Sequence, residues 1–192
     1  MFKRTVLMGA FVVGGFFAPA MAAESFKVDP VHSNVIFRIK HLDVSFFYAR
    51  FKEITGTFNF DEPTGIAIEV KPESVDTKSE KLDTHLKSAD FFNVKEFPTI
   101  SFKSTAIKPV ADKEGTYEVT GDLTLHGVTK PLTVTLEKSG MGADPWGGQR
   151  CGFEVLFTIK RSDFGMNFML DKLGDEVRLT VSVEGSKKQA QP

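Results

Sequence analysis

A two-residue rhythm of apolar side chains recurs along almost the whole chain, and it limits the fold more than any other feature. Across residues 33–42, Val35, Phe37 and Ile39 fall on one face and Asn34, Arg38 and Lys40 on the other. Successive side chains of a strand point to opposite faces, so this spacing predicts a half-buried β-strand. It returns in Gly56, Phe58 and Phe60, and in Ile66, Ile68 and Val70 against Ala67, Glu69 and Lys71. Tyr117, Val119, Leu123 and Leu125 alternate with Glu118, Thr120, Asp122 and Thr124. Leu132, Val134 and Leu136 repeat the pattern, then Phe153, Val155, Phe157 and Ile159, and last Val177, Leu179, Val181 and Val183. Residues 25–28 and 99–105 read as two more strands.

The breaks between strands are short. Asp61-Glu62-Pro63-Thr64-Gly65 suits a hairpin turn, and His126-Gly127-Val128-Thr129-Lys130 reads as another. Residues 139–149 read as a Gly-rich loop holding Trp146, and Gly121 marks a candidate bulge. One helix is expected. Thr77 and Glu80 have the spacing of a capping box, and Leu82, Leu86 and Ala89 follow at helical intervals. Phe91 and Phe92 close that segment, and Pro98 bars its continuation.

About eight sequential strands joined by short turns predict an all-β fold, an antiparallel eight-stranded barrel, with the amphipathic helix over one end or side. Closure removes the unpaired edges that invite aggregation. A barrel of this size is either filled by its own side chains or just wide enough for one small ligand, and alternation does not choose between the two.

Residues 1–22 read as a cleaved secretory leader. Lys3 and Arg4 form its charged start, residues 6–18 its apolar stretch, and Ala20-Met21-Ala22 its cleavage site. That stretch, roughly 13 residues, is shorter than the ~20 of a membrane-spanning helix. The expected product is an exported protein with its domain over residues 23–185 and a polar, disordered tail over 186–192. No cysteine follows the cleavage site, which argues against a lipoprotein anchor. The chain has 24 basic and 25 acidic side chains, and loss of Lys3 and Arg4 leaves it slightly more negative. Such a surface does not attract nucleic acid. Cys151 is the only cysteine, so no internal disulfide forms. Phenylalanine is abundant, 19 against one Trp and two Tyr, and it suits either a tight core or an apolar cavity lining.

Six groups of residues, in order, carry a resemblance. They are Asp29-x-x-His32-Ser33-x-Val35-x-Phe37 with His41-x-x-Val44-Ser45; Gly56-x-Phe58; Leu86-Lys87-Ser88-x-Asp90-Phe91-Phe92; Phe97-Pro98-Thr99-Ile100-x-Phe102-Lys103-Ser104; Gly121-x-Leu123-Thr124-x-His126-Gly127-Val128-Thr129-Lys130-Pro131; and Arg161-Ser162-Asp163-Phe164-Gly165. Together they resemble the YceI-like family over essentially all of the exported chain. The resemblance implies a lipocalin-like barrel in the bacterial periplasm that holds a polyisoprenoid, an isoprenoid quinone or a similar long-chain amphiphile, with no cofactor. Ala49 stands where the family pattern places a glycine before Arg50-Phe51, so a strained turn is expected there if that glycine has a positive φ.

Under that reading the tail lies among Val35, Phe37 and Ile39, Phe58 and Phe60, Ile68 and Phe102. Leu123, Leu125 and Val134, with Phe153, Val155, Phe157 and Leu179, complete the wall. Phe164, Met166 and Phe168 belong to an apolar loop suited to a lid. His32, His41 and Arg161 are candidates for the head group, against the simpler readings of a hydrogen-bonded strand start for His32 and an ion pair for Arg161. No residue set has catalytic or metal-binding spacing. His32 and His41 on one strand stand ~30 Å apart, too far for a shared ion. Two alternatives stay open, an enzyme using His32 or His41 as a base on such a lipid, and a stress-protection module that binds a protein. Whether the barrel dimerises to enclose its lipid, as a homodimer, also stays open.

Overall fold

A computed structural model describes residues 25–188, so the expected leader and the final four residues lie outside the described residues. Eleven strands are present: β1 (Phe26–Val28), β2 (Asn34–His41), β3 (Ser45–Phe51), β4 (Ile54–Phe58), β5 (Ile66–Val70), β6 (Val75–Asp76), β7 (Ile100–Pro109), β8 (Thr116–Leu125), β9 (Val128–Ala143), β10 (Gly148–Lys160) and β11 (Leu173–Lys188). One helix, α1 (Glu80–Lys87), lies between β6 and β7.

All pairings are antiparallel, and β1, β4, β5, β7, β8, β9, β10 and β11 close into a ring through the β1–β11 pair. This is the expected eight-stranded barrel. The remaining strands form a flap on β11. The first part of β11 pairs with β2 (Val181 opposite Val35), β2 with β3, and β3 with β6, while the far end of β11 reaches β1 (Ser186 opposite Lys27). Among the described residues the outer edge of β6 has no further strand, and α1 packs beside it.

Two hairpin turns have positive φ at both central residues, the conformation whose twist matches paired strands. One is His126-Gly127 (φ 51 and 75), tighter than the expected five-residue turn. The other is Leu42-Asp43 (φ 51 and 57), closed by Val44 N–H donating to the His41 carbonyl at 3.1 Å.

Several local expectations are corrected. Ser79, not Thr77, caps α1, and it does so without a side-chain bond. Asp83 replaces the capping box: its Oδ1 accepts from the Thr77 N–H at 2.8 Å and the Thr77 hydroxyl at 2.6 Å. The bulge lies in β7 at Thr105 rather than in β8, because Ser104 pairs with Gly121 and Ala106 with Thr120. Gly121 matters for closeness instead, since a Cβ there would sit 2.5 Å from the Phe102 ring. Residues 139–149 are mostly extended, with β9 and β10 running on to a turn at Asp144 whose Oδ1 accepts from the Trp146 and Gly148 amides. The last strand continues to Lys188, past the expected domain boundary. Ala49 is buried in β3 opposite Phe37 and carries no positive φ, so no strained turn forms.

The barrel differs between its two ends. At one end the rings of Phe26, Phe58, Phe60, Phe153 and Tyr117 fill the interior, with centroids 5.0 to 6.0 Å apart. Outside this plug, Asp29, Arg150 and Glu184 close the end with ion pairs. The other end is hollow.

Candidate functional site

The hollow end holds a cavity of about 320 Å³. Its wall comes from the inward faces of β2, β3, β8, β10 and β11, and its cover from Leu82 and Leu86 of α1 with Phe91 and Phe92. A deeper chamber of about 110 Å³ adjoins it, sharing Val35, Val70, Ile100, Leu123, Phe157 and Leu179 as wall. Phe153 lines the floor of the deep chamber and packs edge-on against Phe58 of the plug at 5.0 Å. The outer chamber alone reaches the lower end of the usual range for ligand sites.

Aromatic packing fixes the cover. Phe92 meets Phe51 at 5.2 Å and Phe37 at 6.0 Å, which ties the segment after α1 to β2 and β3. At the mouth His85, Phe91 and Phe168 form a triangle with centroids 5.1 to 5.6 Å apart, joining α1 to the segment after β10. Exposed His41, Leu42, His85 and Met169 lie on the cavity wall, so the cavity reaches solvent between them.

Most expected tail residues lie on these walls. Val35, Phe37, Ile39, Leu123, Leu125, Phe157, Leu179, Met166 and Phe168 line the outer chamber. Ile68, Phe102, Val134, Phe153 and Val155 line the deeper one. Phe58 and Phe60 do not: their alternation faces them inward, but at the end filled by the plug. Phe164 is buried behind the wall, packed with Leu123, Leu125 and Met166.

The polar candidates separate. His41 is at the mouth. His32 is at the opposite end, where its Nδ1 meets Asp29 Oδ2 at 2.9 Å. Asp29 also accepts from Arg150 Nη1 at 2.8 Å, and these two partners, His32 first, hold its carboxyl well below the usual carboxylate range. Asp29, His32 and Glu184 bring three metal-type ligand atoms within 4.8 Å of one another, but the Arg150 guanidinium already bonds both acids, which leaves the cluster as a charge network.

Arg161 meets neither expectation. It is buried on the cavity wall, and its donors go to main-chain carbonyls: Nε to Gly174 at 2.9 Å, Nη1 to Met166 at 2.7 Å and Nη2 to Leu173 at 3.0 Å. Burial lowers its pKa, and the charge of Asp175 opposes that. Burial also works against the charged form of Asp175, but two bonds from Ser162 and the charges of Arg161 and Lys160 outweigh it, so the carboxyl stays below its ordinary value. Arg161 is therefore the pin that shapes the mouth segment.

His85 was missed. It follows Thr84 on a helix read only for its apolar stripe, yet it stands at the mouth, with Nε2 2.8 Å from Asp90 Oδ2. The D-F-F motif was the available signal, since it places Asp90 within reach of the last turn of α1. Among the described residues the outer chamber has three polar side chains on its wall, His41, His85 and Arg161. With Arg161 committed to carbonyls, the two imidazoles offer the exchangeable donors and acceptors of the mouth.

The site is thus a closed antiparallel barrel whose interior is lined by carbon and whose mouth carries the imidazoles of His41 and His85. The YceI-like domain pattern matches residues 26–185, and the chain belongs to that family. A UPF0312 protein of Pseudomonas aeruginosa (strain LESB58) is 42% identical over 194 residues, covering 98% of this chain and 100% of that protein. Protein YceI of Escherichia coli O157:H7 is 41% identical, covering 97% and 100%. Among solved structures, Burkholderia cenocepacia BcnA superposes with a TM-score of 0.70 at 24% identity, over 82% of this chain and 99% of its own. A polyisoprenoid binding domain from Saccharophagus degradans superposes with a TM-score of 0.69 at 13% identity, over 85% and 98%. At these identities the two structures bear on the fold alone.

Proposed function

We propose that the protein is a non-catalytic carrier of a long-chain amphiphile of the polyisoprenoid class, including isoprenoid quinones, and that it works in the periplasm. The observation that carries this reading is the two-chambered cavity, walled almost entirely by Leu, Ile, Val, Phe and Met, with exposed His41 and His85 among the residues at its mouth. A tail extends from the mouth through the outer chamber to Phe153, and an oxygen-bearing head remains beside the imidazoles. Burial of the tail supplies affinity at about 25 cal/mol per Å², before the costs of ordering it. The polyisoprenoid binding of the Saccharophagus domain supports the ligand class, and the leader-like residues 1–22 support export.

The test is native mass spectrometry, with organic extraction, of protein purified from its own host. A stoichiometric long-chain lipid is expected. Ligand-free protein whose wall side chains have collapsed into the cavity would rule the carrier out. Cell fractionation with the leader intact and deleted checks the location.

A further inference from the structure

The tip of the hollow end carries apolar side chains that the barrel does not bury. Val44, beyond the Leu42-Asp43 turn, is 81% exposed, and Leu42, Met169 and Leu170 are each between 41% and 48% exposed. Leu42 and Met169 hold φ values of 51 and 50, a left-handed conformation that branched or long L side chains adopt at a cost. The two segments are fastened together, because the Leu42 N–H donates to the Lys172 carbonyl at 2.9 Å and Leu173 pairs with His41. Leu42 and Met169 also line the cavity, so the exposed patch is continuous with its interior.

We infer that this tip is a membrane-docking surface whose occupant is the headgroup layer of a zwitterionic phospholipid bilayer. The inference rests on the carrier reading, because a tail in the cavity has to cross from a bilayer without passing through water. Depth matches the geometry. A strand rises ~3.4 Å per residue, which sets Phe46 about 7 Å and Tyr48 about 14 Å behind Val44. Amphipathic elements lie ~5–10 Å deep in the interface, so immersion reaches Phe46 and leaves Tyr48 at the water side. Arg38 and Lys40 lie over the Phe46 ring at 4.1 and 5.7 Å, placed where phosphates begin. Around the tip Arg38, Lys40 and Lys172 stand with Asp43 and Asp171, a rim of both signs that suits a zwitterionic layer. The opposite end also exposes apolar residues, Val31 and Trp146 at 81% each, but these lie outside the aromatic plug.

Flotation with phosphatidylcholine vesicles tests the proposal. Wild-type protein floats with the vesicles, and raising the salt does not release it. Val44→Asp and Leu170→Asp each lower the bound fraction at least tenfold, whereas Trp146→Asp leaves it unchanged. Val44→Cys carrying an environment-sensitive dye shifts to the blue on adding vesicles, and Trp146→Cys does not, which reads insertion without an introduced charge. Wild-type protein that stays in solution overturns the inference, as does equal loss in the Trp146 variant. So does light scattering in which Val44→Asp splits a dimer, since the tip would then face a second copy. Co-purified lipid without vesicle association sinks docking alone, and vesicle association by protein whose cavity has collapsed and holds no lipid sinks the carrier reading alone.

Discussion

Gly185 of β11 lies against the ring of Phe58 in β4: a Cβ on Gly185 would stand 2.9 Å from Phe58 Cζ and 3.0 Å from the Lys27 carbonyl. Phe58 is fully buried between Phe26, Phe60 and Phe153 and has no room to yield. Gly185→Ala should therefore cost about 2 kcal/mol by overpacking, and Phe58→Ala about 4 kcal/mol by the cavity it leaves. Urea unfolding measures both, and in each case the loss belongs to the fold rather than to ligand contact.

Arg161 should behave as a structural pin. Removing its side chain leaves three main-chain carbonyls without donors, so Arg161→Met should destabilise by about 3 kcal/mol. Arg161→Lys recovers part of this, because one ammonium cannot reach all three carbonyls in the fork geometry of a guanidinium. If lipid retention fell with stability unchanged, the head-group role would be restored.

Leu123 lines both chambers, and Leu123→Trp should fill the passage between them. We expect co-purified lipid to fall at least tenfold while the urea midpoint changes little, because the added ring occupies space that is empty in the protein. His41→Ala and His85→Ala together should weaken retention less than this, since under the carrier reading they meet only the head.

Asp29 sets an acid dependence. Its carboxyl is depressed in the folded state by His32 and Arg150, so the stabilisation is present above the ordinary carboxylate value of ~3.9 and fades as pH falls through the lower folded value. Asp29→Asn should cost about 1 kcal/mol at pH 7. The gap between wild type and variant should hold down to about pH 5 and shrink below about pH 4, as read from urea midpoints along a pH series.

Cys151 is buried against β9 and β11, and burial pushes its thiol pKa up. It should resist alkylation in native protein and react at once in urea, so its rate of modification reports opening of the barrel.

The alternation of apolar residues made the barrel legible, because a strand shows which face it buries. It did not show how deep along the axis each inward residue sits. Phe37 and Phe58 share one pattern, yet one faces the cavity and the other fills the plug, a difference set by register across β1, β4 and β11. The segment 45–51 was not read as a strand because Phe46, Phe47 and Tyr48 break the alternation, with aromatic side chains on both faces. Arg161 was legible as conspicuous but not as a carbonyl ligand, since main-chain acceptors leave no mark on composition. His85 lay hidden on a helix whose apolar stripe drew attention to Leu82 and Leu86.

The free edge of β6 has a kinetic consequence. Around most of the circumference, widening the barrel means breaking a ladder of backbone hydrogen bonds. Beside β6 the wall is α1 and the segment after it, held to the strands by the rings of Phe37, Phe51 and Phe92. Rings slide and re-pack at a cost far below that of unzipping a sheet, so this flank of the hollow end is where the wall yields first.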